Sequence, residues 1–181
     1  MQRGLSKKLM AGVPRINTNL SISVLDGTGA LVHLIPAEAL ASGGVGYLYE
    51  RLVGLDYERR GYNVEYRSHL GYRDAGVDLI AVDSEEKRFV QCKFTLHSMG
   101  RGKIEELLYK ASKFVKANLG HQKNHFDFVV PDEAAAFTHP RHRNLAKNTA
   151  KRVYLRYNET QNDIQLHIVE IPMPLPDSIK L

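Results

Sequence analysis

The feature that most narrows the fold is a pair of apolar runs, VDLIAV at 77–82 and RFVQCKF at 88–94, joined by the polar link DSEEK. Both runs are rich in β-branched and aromatic residues, and the link suits a reversal, so together they predict an antiparallel hairpin. With the turn centred between Ser84 and Glu85, Leu79 faces Val90, Ile80 faces Phe89 and Asp78 faces Gln91. Alternation then sends Val90, Cys92 and Phe94 into the core with Val77 and Leu79, and places Asp78, Gln91 and Lys93 on the other face. Directly opposed side chains stand about 5 Å apart at Cβ and diagonal ones roughly 7–8 Å, so these three share one patch.

That patch has two readings. In one, Asp78 and Lys93 form a cross-strand ion pair with Gln91 as a hydrogen-bonding neighbour, worth less than about 1 kcal/mol if exposed. In the other, Asp78 and the Gln91 carbonyl supply oxygen ligands to a hard cation such as Mg²⁺, while Lys93 holds a water or offsets the charge of a phosphate. Cys92 reads as a small buried hydrophobe, because neither histidine nor glycine context is present to activate its thiol.

The rest of the chain supplies a frame for the hairpin. SISVLDGTGALVHLIP reads as a β-hairpin around an Asp26-Gly27 turn. Pro36 opens a helical stretch interrupted by Gly43-Gly44, after which Leu48, Leu52 and Leu55 repeat at helical spacing up to a stop at Gly61, with Glu50 in mid-helix. YNVEY is a short strand, RSHLGYRDAG a polar loop, and residues 102–119 an amphipathic helix closed by Gly120. FDFVV is a buried strand, EAAAF to Ala150 is helical at least in part around Pro140, and VYLRY and IQLHIVEI are closing strands before a proline-spaced tail. The order predicts an α/β fold of α+β type, a mixed sheet with helices against it. Three segments are expected: a basic arm with a hairpin at 1–42, the main domain at 43–171, and an irregular tail at 172–181.

Charge narrows the partners. The net charge is +5, and no acidic residue occurs from Ala134 to Asn158, where Arg141, Arg143, Lys147, Lys151, Arg152 and Arg156 cluster with His139 and His142. Such a stretch suits the phosphates of a polyanion, because contacts release counterions; the plainer reading is a solvated basic face. Arg3, Lys7, Lys8 and Arg15 repeat the pattern at the start. With one cysteine an intramolecular disulfide is excluded, and with no membrane-length apolar run or secretory leader the expected compartment is the cytoplasm. His121 and His125 have the i, i+4 spacing of a zinc pair, but Gly120 ends the helix before them.

The stretch from Gly46 to Phe94 resembles the catalytic domain of the Mrr-like restriction endonucleases, within the PD-(D/E)XK nuclease superfamily. The residues that carry the resemblance are the GYLYE helix with Glu50, the RGYNV strand start, the DAGVD turn at Asp74 to Asp78, and the QCK strand at Gln91 to Lys93. The resemblance extends over about 44–157 and implies a restriction-endonuclease-like core of order α-β-β-β-α-β, with the N-terminal hairpin as an addition. It implies hydrolysis of DNA phosphodiesters by a water that Mg²⁺, or Mn²⁺ in its place, activates.

Carried over by position, Asp78 is the principal metal ligand and Gln91 stands where a second acid is usual. The backbone carbonyl of Cys92 completes the protein ligands, Lys93 positions the water or the phosphate, and Glu50 faces the site from its helix. The implied substrate is duplex or branched DNA, with Arg141, Arg143, Lys147, Lys151 and Arg152 as phosphate contacts and neither a membrane nor a small-molecule cofactor involved. A homodimer is expected if both strands are cut. The alternatives are a Holliday-junction or other structure-selective nuclease, against which stands Q-x-K where resolvases show E-x-K, and a non-cleaving DNA-binding module on the same fold. Tyr47 and Tyr49 read as helix packing, and Asp74 as a brace of the turn.

Overall fold

The N-terminal segment is more structured than a basic arm. In the computed structural model, which describes residues 2–41, 43–67, 75–95, 99, 101–137 and 164–174, it forms helix α1 (Gln2–Leu9) and strand β1 (Val13–Ile16) before the expected hairpin of β2 (Ile22–Leu25) and β3 (Leu31–Ile35). The three strands make an antiparallel sheet in the order β1-β2-β3. Pro14 hides β1 in the sequence, and it is tolerated because β1 is an edge strand, where a missing N–H breaks no central ladder. The reversal between β2 and β3 is wider than a two-residue Asp-Gly turn. Asp26 Oδ1 accepts the N–H groups of Thr28 and Ala30 at 2.8 and 2.9 Å, and the left-handed residue is Gly29, at φ 86°, rather than Gly27.

Helices α2 (Glu38–Ala41) and α3 (Gly44–Arg59) follow, separated at the glycine pair as predicted. The second sheet contains β4 (Asn63–Tyr66), β5 (Leu79–Val82), β6 (Glu86–Cys92), β7 (Lys123–Val130) and β8 (Ile164–Glu170), in that order. β4, β5 and β6 pair antiparallel, whereas β6, β7 and β8 pair parallel, so the sheet is mixed. Parallel neighbours need a crossover, and α4 (Arg101–Ala117) supplies it between β6 and β7. A short α5 (Glu133–Ala136) follows β7, capped by the Asp132 side chain, which accepts the Ala135 N–H. The strand expected at VYLRY and the helical continuation toward Ala150 lie outside the described residues.

The β5–β6 hairpin has the predicted register, with Leu79 opposite Val90 and Ile80 opposite Phe89. Its two faces build two cores. On one side Ile104, Leu107, Leu108, Ala111 and Val115 of α4 pack on Ile80, Phe89, Phe126 and Phe128. On the other, Tyr49, Val53 and Tyr57 of α3 pack on Leu79, Ala81, Val90, Cys92 and Val129. Val77 departs from expectation and joins the α4 side, because β5 begins only at Leu79 and strand alternation does not reach back to it. A third cluster joins Leu9, Ile22, Val24, Ile35 and Leu40 to Leu48 of α3, so residues on both sides of position 42 share one core. Among the described residues, no helix is long and apolar enough to cross a membrane.

Candidate active site

Asp78 lies just before β5, and the sheet holds its backbone from both sides. Its N–H donates to the Val90 carbonyl at 2.8 Å, and its own carbonyl accepts the Arg67 N–H at 2.8 Å. The carboxylate is therefore aimed by strand geometry rather than by side-chain freedom. Oδ2 accepts the Gln91 Nε2–H at 2.9 Å and the Cys92 backbone N–H at 2.7 Å. Asp78 is 6% and Gln91 5% exposed, so both are buried polar groups fixed by hydrogen bonds. Asp78 is bound to Gln91 and the β6 backbone, and the cross-strand ion pair with Lys93 is not formed among the described residues.

The chain reaches Asp78 through a strained turn. Ala75 and Gly76 both have positive φ, 58° and 77°. At Gly76 a side chain would be strained by conformation, and its Cβ would also stand 3.2 Å from Gln91 Oε1 and 3.3 Å from the Ala111 backbone nitrogen. Arg67 braces the same segment from inside. Its Nε–H donates to the Val77 carbonyl at 3.2 Å, and its guanidinium lies 4.0 Å from the centre of the Phe114 ring. Arg67 begins the polar loop that the sequence presents as ligand-facing, yet it is buried. Asp74, in the same loop, lies outside the described residues.

Beyond Cys92, the Lys93 N–H continues the parallel ladder by donating to the Val129 carbonyl at 2.8 Å, and Lys93 lines a cavity of about 890 Å³. Glu50, Asp78, Gln91 and Cys92 line the same cavity, together with Gly76 and, from α4, Tyr109, Lys110 and Lys113. The structure thus gathers all four residues singled out in the sequence, though α3 and the hairpin are separated by a strand and a loop. Glu50 is placed by its neighbour: Tyr49 is fully buried and donates its hydroxyl to the Ile171 carbonyl at 2.8 Å, fixing the rotation of α3. This is the packing role expected of Tyr49. Cys92 turns its side chain to the α3 core, where burial first, and then the charges of Asp78 and Glu50, push its thiol well above the ordinary range. It is not a nucleophile at neutral pH.

The α4 residues of the cavity are the ones sequence reasoning missed. Helical periodicity identifies the apolar stripe of α4, but it says nothing about what its polar face confronts. The basic residues Arg141, Arg143, Lys147, Lys151 and Arg152, with His139 and His142, lie outside the described residues. His121 is exposed beyond the end of α4, and His125 sits buried in β7 with Nδ1 3.0 Å from His167 Nε2, so the two do not share a helix face.

The donor chemistry of the site suits a hard divalent cation. Asp78, Glu50, the Gln91 amide and the Cys92 carbonyl are all oxygen donors, and Gln91 Oε1 is buried without a hydrogen-bond partner among the described residues. A buried carbonyl oxygen left without a donor costs about 1–3 kcal/mol, which a cation would recover. Among the described residues, no group of three or more histidine, cysteine, aspartate or glutamate side chains is placed to hold a metal ion, so a cation here would rest on two carboxylates together with the Gln91 and Cys92 oxygens.

Residues 46–121, from α3 through α4 and including Glu50, Asp78, Gln91 and Lys93, match the family Mrr_cat, described as restriction endonuclease. No curated protein and no solved structure gives a significant match.

Proposed function

We propose that this chain, whose residues 46–121 match the family Mrr_cat, described as restriction endonuclease, is a nuclease that acts on DNA, a metal-dependent endonuclease that hydrolyses phosphodiester bonds at the Asp78 cavity. The observation that carries the proposal is the Asp78–Gln91 pair, joined at 2.9 Å across the β5–β6 hairpin inside a cavity that also admits Glu50 and Lys93.

Asp78, Glu50, the Gln91 Oε1 and the Cys92 carbonyl would hold Mg²⁺ or Mn²⁺. When bound, such a cation lowers the pKa of water and offsets charge on the phosphate. The protein does the rest. The Gln91 and Cys92 N–H groups fix the Asp78 carboxylate, so no reorganisation is needed as charge develops. Lys93 would hold the attacking water or donate to a non-bridging phosphate oxygen. The water gives up a proton to solvent as its oxygen bonds to phosphorus, the bond from phosphorus to the sugar oxygen breaks, and that oxygen takes a proton from solvent. Because Gln91 is neutral, it adds a donor atom without adding a second negative charge beside Asp78, and Glu50 supplies that charge from α3. The basic residues from Arg141 to Arg152 are assigned to phosphate contacts on the flanking DNA.

Purified protein with Mg²⁺ or Mn²⁺ is expected to cut DNA. Asp78→Ala and Lys93→Ala should each reduce cutting by at least about a thousandfold while leaving circular dichroism and most DNA binding intact. Binding without metal-dependent cleavage on linear, supercoiled, methylated and branched substrates alike would make the chain a non-cleaving module and defeat the proposal.

A further inference from the structure

Beside Asp78 and Glu50, one wall of the cavity is explained by neither the fold nor the hydrolysis. It comes from α4 and carries Tyr109, Lys110 and Lys113. The apolar residues of α4 are accounted for by the core, but these three are not. Tyr109 is 41% exposed, an unusual position for a large aromatic ring. Lys110 and Lys113 are i, i+3 neighbours and so share a helix face. Their ammonium groups are differently engaged. Lys110 donates to Glu106 at 2.6 Å, while Lys113 lies 5.0 Å from the centre of the Tyr109 ring and, among the described residues, forms no ion pair.

We propose that this wall is a second phosphate subsite, which takes the backbone phosphate next to the one being cut. Lys113 makes the principal contact, Lys110 a lesser one because Glu106 already draws on its charge, and Tyr109 packs on the nucleotide between the two phosphates. This rests on the nuclease reading of the Asp78 site. A strand that presents one phosphate to Asp78 carries the next phosphate a few ångströms further on, and the cavity, at about 890 Å³, lies at the upper end of the size range of ligand pockets, with room for more than a phosphate group. Lysines and acids that line one cavity also orient the strand, since the acids accept a phosphate only with an intervening cation whereas the lysines accept it directly.

The test compares single substitutions on one helix. Binding of a short DNA duplex is measured without divalent ion over a range of salt concentrations, and KM and kcat with Mg²⁺. Lys113→Ala should weaken binding about tenfold, lower the slope of log K against log salt by about one, and raise KM with little change in kcat. Lys110→Ala should do the same more weakly, and Lys113→Arg should restore the wild-type slope. Lys116→Ala removes an equal charge from the same helix outside the cavity and should change none of these. An unchanged slope in Lys113→Ala, or an equal loss in Lys116→Ala, overturns the subsite while leaving the nuclease reading intact. A wild type that never cleaves, but whose salt slope still falls with Lys113→Ala and not with Lys116→Ala, overturns the nuclease reading and keeps the subsite.

Discussion

At the scale of single residues, the chemistry of the site turns on Gln91. A glutamate there would face Asp78 across the hairpin as a second buried carboxylate, and like charges at that distance are unfavourable unless a proton or cation lies between them. The amide instead donates to Asp78 and holds it with the β6 backbone. Gln91→Glu should therefore cost about 1–3 kcal/mol of stability without metal, because a hydrogen bond is replaced by repulsion. Added Mn²⁺ should raise the melting temperature of the variant more than that of the wild type. Equal metal-induced shifts in the two proteins would show that Gln91 does not face the cation. The residue types at 78, 91 and 93 were legible in the sequence, and so was their pairing. The hydrogen bond from the Cys92 N–H to Asp78 was not, because it depends on how far the carboxylate leans along the neighbouring strand.

At the scale of elements, the register of the hairpin was readable, whereas the bounds of its strands and the segment leading into it were not. Alternation in both strands and a short polar link favour one register, and a slip of one residue would part Leu79 from Val90 and turn one of them from the α3 core toward the α4 core. The approach from β4 carries no such constraint. Arg67 looks like part of a ligand-facing loop, but its stem is buried and its head is spent on the Val77 carbonyl and the Phe114 ring. It is a positioning residue for Asp78. Arg67→Met keeps the apolar stem and loses the hydrogen bond, so kcat should fall roughly tenfold with DNA affinity nearly unchanged, as expected when alignment rather than binding is lost. A lowered melting temperature with an unchanged kcat, measured well below melting, would reduce Arg67 to a stabilising role. Helix α1 and strand β1 also escaped sequence reading: a short basic helix and a proline-containing strand lack local signals, and both are held by packing on α3.

At the scale of the whole molecule, the end of the sheet remote from the cavity carries a buried polar network. Asp127 is fully buried and accepts from the Tyr57 hydroxyl at 2.5 Å and from Arg88 at 3.1 Å, and Arg88 also pairs with Glu86. His125 lies beside it, stacked on His167 and 3.6 Å from Glu86. Burial, and then the charge of Arg88, hold His125 below its ordinary value of 6.5. The unfolded chain therefore binds a proton at pH values where folded His125 stays neutral, so stability rises with pH through that window and falls as pH drops below about 6.5. The urea midpoint should decline between pH 7 and pH 5.5, and His125→Gln should flatten the decline. A variant that keeps the full decline would place the linkage on other groups.

The amino-acid sequence by itself determined the hairpin register, the helices packed against a mixed sheet, and the residue types gathered at the candidate site, because periodicity and turn chemistry are local. Only the tertiary structure decided that Glu50 lines the Asp78 cavity, that Val77 and Arg67 turn inward, and that Tyr109, Lys110 and Lys113 of α4 line the same cavity. Those placements depend on how α3 and α4 rotate as they pack on opposite faces of one sheet, and that rotation is set by side chains far apart in the chain.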